Sequence, residues 1–445
     1  MNHIALENFR CFRERQETRM APLTLLVGEN SAGKTSFLAL IRALWEAAYE
    51  QRVPDFKAPP YDLGSFDEIA HFRGGRGGRA TEFHAEFRRR DDLDNRPKRG
   101  RPARPLDRTF ALSFRKEGTA PVPHRWAIST GDAAVEVGAP EQDEARVYFR
   151  TVRGQWSWPR RWLGEQFPGN PQLSFPLILS FLPERDSAQP TAGSPLPNER
   201  DWNHLRETIA PFFPSGQRLF ASAPVRSKPR RTYDPARPTA APEGETIPTY
   251  LSSLFVEDRR AWTKLKGALE AFGRQAGLFD ELDVRLLGKK GTEPFQVQIR
   301  KYGKRAKGPS RNLIDVGYGV SQVLPVLTEL FRDRRTSMFL LQQPEVHLHP
   351  QAQAAFGSLF CRLASWKRQI VVETHSDHLL DRVRMDVRDG HGRLSPEDVS
   401  ILYFERQNLG FRIYSLRLDD QGNVLDAPQS YRRFFMEEVN RSLGL

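Results

Sequence analysis

Gly28-Glu29-Asn30-Ser31-Ala32-Gly33-Lys34-Thr35 is the stretch that most narrows what this chain can fold into. Glycines at its first and sixth positions let backbone N–H groups turn inward around an anion, the lysine meets negative charge, and a hydroxyl residue closes the run. Such a loop works only between a strand and a helix. Leu23 to Val27 form a short apolar run before it, and Phe37, Leu38, Ile41, Leu44 and Trp45 recur behind it at helical spacing. The motif reads as a P-loop that binds ATP through Gly28, Asn30, Ser31, Ala32, Gly33, Lys34, Thr35 and Ser36, with Lys34 at the β- and γ-phosphates and Thr35 at Mg2+.

Ahead of the loop, Ile4 and Leu6 alternate with polar neighbours, and Phe9 and Phe12 follow, a strand and a turn. Residues 73–108 are rich in Arg, Gly and Pro, so regular structure is expected there only near Glu82 to Phe87. Further strands are expected at Arg146 to Phe149 and Leu177 to Leu179, loops over 186–200 and 224–242, and a helical pattern over 247–279 through Leu251, Leu254, Phe255, Trp262, Leu265, Leu269 and Phe272. The pattern then becomes α/β: Phe295 to Arg300 as strand, Ser321 to Phe331 as helix, Ser337 to Leu341 as strand, Gln351 to Ala364 as helix, Ile370 to Glu373 as strand. Val399 to Phe404 and Gly410 to Leu416 read as a hairpin, and Tyr431 to Leu443 as a last helix. The expected domains are an N-terminal lobe over 1–185, an inserted helical and loop-rich region over 186–290, a C-terminal lobe over 291–426 and the helix over 427–445.

Lysine and arginine number 67 against 55 acidic residues, a net charge of +12 that favours anionic partners such as DNA or RNA. Much of the excess lies in stretches such as Arg88 to Arg108, where charge also keeps an irregular segment solvated. With two cysteines, Cys11 and Cys361, no apolar run long enough to cross a bilayer and no signal-peptide pattern at Met1 to Asn8, a cytoplasmic chain without a membrane span is expected.

Met1 to Phe12 resembles the opening strand of RecF and SMC-like ATPases of the ABC class. Met338-Phe339-Leu340-Leu341-Gln342-Gln343-Pro344-Glu345-Val346-His347-Leu348-His349-Pro350 is similar to the Walker B strand and following turn of standalone ABC ATPases related to the OLD family, and Val371-Val372-Glu373-Thr374-His375-Ser376 to their switch-histidine strand. Asp315 to Gln322 stands in the place of the signature motif. The resemblance covers roughly 1–72 and 295–416. It implies a two-lobed α/β ABC-type head, His375 as a γ-phosphate donor, and Ser321 as the serine that reaches the nucleotide of a second head in a homodimer. By itself Ser321 also fits a helix N-cap before Val323 to Leu330.

One departure from the family pattern bears on catalysis. Gln342 and Gln343 stand where the family has an acid for Mg2+ and a glutamate for the attacking water, and an amide supplies neither charge nor base. Tight ATP binding with slow hydrolysis is expected, with Gln343, Glu345 and His375 as the catalytic candidates and Gln342 as a binding residue. Glu345 and Glu373 are the two carboxylates open to replace the missing base. Arg226, in a Pro-Arg segment running from Ser222 to Tyr233, has two readings, phosphate or nucleic-acid contact and plain surface loop. Gly64 to Ile69 is placed as a Q-loop equivalent, and Arg73 to Arg79 as a flexible turn. His347, His349, His375 and His378 lack the cysteines and spacing of a metal centre.

The implied function is an ATPase whose nucleotide-driven closure controls a separate effector, a nuclease or toxin, as in prokaryotic antiphage systems such as Septu. The alternatives are a RecF/SMC-type DNA-maintenance ATPase and an ATP-sensing scaffold with little hydrolysis. A chain that is its own nuclease would need a carboxylate cluster of Toprim type beyond His375, where only residues 376–445 remain.

Overall fold

A computed structural model describes residues 1–50, 52–75, 78–91, 106–131, 133–138, 146–151, 154–159, 200, 217–224, 226, 228–234, 246–288, 293–303, 306–332, 336–407, 410–431 and 433. The strand expected at 177–179, the loop at 186–199 and most of the helix expected at 431–443 lie outside these residues. Two compact units emerge: Met1–Met20, Glu29–Gln217 and Phe404–Ile413 form the first, and Ala21–Gly28, Arg218–Tyr403 and Tyr414–Leu445 the second.

In chain order the opening elements are β1 (His3–Glu7), β2 (Gln16–Arg19), β3 (Leu23–Gly28) and α1 (Lys34–Ala48). The first unit is built on an eight-stranded sheet in the order β2-β1-β4-β5-β6-β7-β8-β9, with β4 (Glu82–Asp91), β5 (Leu106–Glu117), β6 (Ala120–Thr130), β7 (Ala133–Gly138), β8 (Arg146–Thr151) and β9 (Gly154–Pro159). Its strands pair antiparallel. Alternation sets the register: Phe83 and Phe87 of β4 face Phe114 and Phe110 of β5, and all four rings are buried. Phe83 stacks on Phe114 at 4.8 Å, and Phe56 meets both rings edge-on. β4 and β8 lie where strands are expected, whereas β5, β6, β7 and β9 are not foreseen; β6 carries Pro121 and Pro123 and buries its residues without strict alternation, so it has no strand pattern to read. β2 is not foreseen either, being four polar residues whose pairing is supplied by β1.

The second unit holds a seven-stranded sheet in the order β10-β14-β15-β3-β16-β17-β18. Its strands are β10 (Arg218–Ser222), β14 (Thr336–Gln342), β15 (Gln369–Glu373), β16 (Val399–Gln407), β17 (Gly410–Leu418) and β18 (Val424–Leu425), besides β3. β10, β14, β15 and β3 run parallel. Parallel strands covered on both faces read as unbroken apolar runs, as Met338 to Leu341 and Ile370 to Val372 do, every one of them buried. A smaller sheet joins β11 (Glu281–Leu286), β12 (Phe295–Arg300) and β13 (Arg311–Asn312).

The helices of this unit are α2 (Ile247–Glu257), α3 (Arg259–Gln275), α4 (Tyr318–Arg332), α5 (Pro350–Leu363) and α6 (Asp377–Arg388). The single helical pattern over 247–279 is two helices, because Asp258 leaves helical geometry and its carboxylate accepts from the Ala261 N–H at 2.9 Å, capping α3. Their apolar faces, Leu251, Trp262, Leu269 and Phe272, share one core with Val323 and Leu327 of α4 and Phe356 of α5. α4 begins three residues before the expected start, which places Ser321 inside the helix and not at its N-cap.

Candidate functional site

The P-loop follows β3. Lys34 is buried, and its Nζ donates to the Glu29 carbonyl at 2.6 Å, while Asn30 and Ser31 are exposed. Ser31 adopts φ 61°, and Gly33 adopts φ 93°, where a β-carbon would stand 2.7 Å from the Cys11 sulfur and 2.8 Å from the Phe12 ring. Only glycine fits there. α1 starts at Lys34, with the Phe37 N–H on the Gly33 carbonyl at 2.9 Å, so Thr35 and Ser36 sit in its first turn. Arg10, which the sequence reading passed over, reaches the Ser36 hydroxyl at 3.4 Å and the Glu68 carbonyl at 2.9 Å. Burial pushes the Cys11 thiol up to about 12, so this sulfur beside the loop stays protonated.

In the second unit the parallel strands bring their C-terminal ends together. Gln342 ends β14 opposite Glu373 of β15, Glu373 pairs with Leu26 of β3, and the Thr374 N–H donates to the Leu26 carbonyl at 3.1 Å. Crevices at such strand ends are where open α/β sheets bind ligands. Gly28 ends β3 two residues past Leu26, and Thr374 and His375 follow Glu373 on the neighbouring strand.

The turn after β14 is strained. Gln343 and His347 hold φ 42° and 66°, left-handed conformations that cost roughly 1–2 kcal/mol apiece for residues with a β-carbon. The Gln343 N–H donates to the Glu373 carbonyl at 2.8 Å, tying the turn to β15. Between the strained residues Glu345 is buried. Its Oε1 accepts from the Thr374 hydroxyl at 2.6 Å and from the His375 N–H at 2.9 Å, and its Oε2 is buried without a hydrogen-bond partner. Burial raises its carboxyl above the ordinary range, against the pull of those two donors and of the Arg226 charge. The hydroxyl of Ser376 donates to Gln353 at 2.6 Å, and Gln353 donates to the Leu348 carbonyl at 2.8 Å.

Ser321 is 5% exposed and donates to the Tyr318 carbonyl at 2.8 Å, while Gly317 and Tyr318 are exposed at the helix start. Gly319 lies against the turn after β14, where a β-carbon would come within 2.7 Å of the His347 carbonyl, and the Tyr318 and His347 rings meet edge-on at 4.9 Å. Arg226 is neither a surface-loop residue nor open to an outside phosphate. It is 2% exposed and packed between Gln322 and Gln342.

For Mg2+, which keeps most of its waters and takes one or two protein oxygens, the Thr35 hydroxyl in the first turn of α1 is a ligand of the right chemistry. For ATP, the loop around Gly33 and the buried Lys34 ammonium form the cradle such phosphates need. Among the described residues no helix is long and apolar enough to cross a membrane.

Two family models match: "AAA ATPase domain" over residues 1–82 and "AAA domain, putative AbiEii toxin, Type IV TA system" over residues 180–381. An OLD nuclease of Thermus scotoductus is 22% identical over 411 residues, covering 87% of this chain and 61% of that protein. The chain thus spans about three fifths of the length of this curated relative. Among solved structures, an SMC head bound to the C-terminal winged-helix domain of ScpA aligns with TM-score 0.47 and 10% identity over 94% of this chain and 98% of that one. The SMC head domain from Thermotoga maritima gives 0.37 at 11% identity, over 93% and 98% of the two chains.

Proposed function

We propose that this chain, an ATPase of the AAA/OLD/SMC-like type, binds Mg-ATP at its P-loop, pairs its heads around it, and so controls a separate effector, a nuclease or toxin, in antiphage defence. The P-loop carries the reading, with the buried Lys34 held on the Glu29 carbonyl in a loop whose turn at position 33 only glycine fits. The bound nucleotide supplies a γ-phosphate whose transfer to water is the chemistry of such sites. Backbone amides from Gly28 to Thr35 would hold the phosphates, Lys34 would neutralise them, Thr35 would hold the metal with Gln342 accepting from its waters, and Gln343 would orient the attacking water. The His375 imidazole would donate to the γ-phosphate. In the pair, the start of α4 with Ser321 would cap the partner's nucleotide, so ATP favours association by adding contacts that exist only in the dimer. That role requires the Ser321 hydroxyl to turn away from the Tyr318 carbonyl.

Without a carboxylate at 342 or 343, turnover is slow, which favours a second form of the reading in which ATP holds an assembly together and is scarcely spent. ATP affinity by calorimetry, turnover with and without DNA, and phage plating with the neighbouring reading frame present test the proposal. Lys34→Ala removes a charge-assisted contact and is expected to weaken ATP binding by about 10- to 100-fold. Full affinity in that variant would end the reading, and unaltered phage plating would end its defence part.

A further inference from the structure

Two sets of buried polar contacts in the second unit flank the turn after β14, one reaching α4 through Arg226 and the other reaching His375 through Glu345. Gln322, beside Ser321 in α4, is 1% exposed, and its Oε1 accepts from the Arg226 N–H at 2.9 Å while its Nε2 donates to the Arg226 carbonyl at 3.4 Å. The Arg226 guanidinium then bridges two carbonyls, Gln322 at 3.1 Å and Gln342 at 3.5 Å. Gln342 ends β14, and three residues on Glu345 takes the Thr374 hydroxyl and the His375 N–H on one oxygen. A cation and a carboxylate, both nearly sealed from water, thus bracket the end of β14, one holding α4 and the other holding the backbone of His375. The Arg226 charge acts on the Glu345 carboxylate, though less than the burial of that carboxylate and its hydrogen bonds do.

We propose that Arg226 and Glu345 are positioning residues of one relay, through which the placement of α4, and so of Ser321, sets the placement of His375. The role rests on the ATPase reading for its purpose but not for its test. Glu345 in this role faces inward to the switch backbone, so it is not the base that replaces Gln343. The coupling also gives a use to the strain at Gln343 and His347: the turn is held in its conformation at both flanks and has little freedom to relax alone.

Hydrogen exchange of the free, full-length protein, read on peptides covering residues 373–379 and, as a control, residues 336–341, tests the relay. Arg226→Gln is expected to speed exchange of the His375 amide by about tenfold while leaving the control strand protected, and Arg226→Lys, which keeps the charge, to restore part of the protection. Glu345→Gln is expected to act alike, and the double variant to be no worse than either single one, since both break one path. With Mg-ATP present, Arg226→Gln is expected to lower turnover about tenfold with ATP affinity within about twofold of wild type. Unchanged exchange at His375, equal loosening of the control strand, or strictly additive effects would each overturn the relay. A wild-type chain that fails to bind ATP would instead overturn the functional reading and leave the exchange result standing.

Discussion

Gln343 offers an amide where hydrolysis asks for a base, and it offers it from a left-handed backbone position at the mouth of the strand ends. Gln343→Glu is therefore expected to raise turnover by at least about tenfold, read by phosphate release, since a positioned general base is worth about two orders of magnitude or more; no gain would place the bottleneck elsewhere. At Glu345 burial is the largest influence and raises the carboxyl above its ordinary value of 4.5. An acid whose pKa is raised by folding stabilises the fold fully below its unfolded value and loses that contribution as pH rises through the folded one. Glu345→Gln should accordingly gain in melting temperature relative to wild type as pH goes from 4.5 to 8, and a difference flat across that range would refute the assignment. Gly33→Ala forces a β-carbon into Cys11 and Phe12 at φ 93°, so a loss of about 1–3 kcal/mol and weaker ATP binding are expected from denaturation and titration.

The Pro-Arg segment before α2 shows how one stretch holds arginines of unlike value. Arg231 makes a two-pronged pair with Asp315 at 2.6 and 2.9 Å, but both side chains are largely exposed. Screening by water leaves such a pair little weight in stability, so Arg231→Ala should move the denaturation midpoint little. Arg226, four residues after Ser222 at the end of β10, is turned inward by Gln322 and Gln342. Within β14, Leu340 is fully buried between β10 and β15, and Leu340→Ala is expected to cost about 2–5 kcal/mol in urea denaturation through the cavity it leaves.

At the scale of the whole molecule, the two units interleave along the chain, with β3 in the second unit handing over at Gly28 to the P-loop and α1 in the first. If the heads pair around ATP as proposed, a Ser321→Arg variant should stay monomeric by light scattering with Mg-ATP where the wild type pairs, and equal pairing of the two would remove Ser321 from the interface. β3 and α1 with the glycine loop between them, β14, β15 and α5 were legible in the sequence because each rests on local pattern: an apolar run long enough for a covered parallel strand, a helical period, or a glycine spacing that few other loops need. Local pattern has no access to pairing at a distance. The antiparallel strands after β4, the burial of Arg226 and the clasp of Glu345 on His375 each depend on residues far along the chain. Tertiary packing decided them, because a buried polar group takes whatever partner the folded core brings within hydrogen-bond reach.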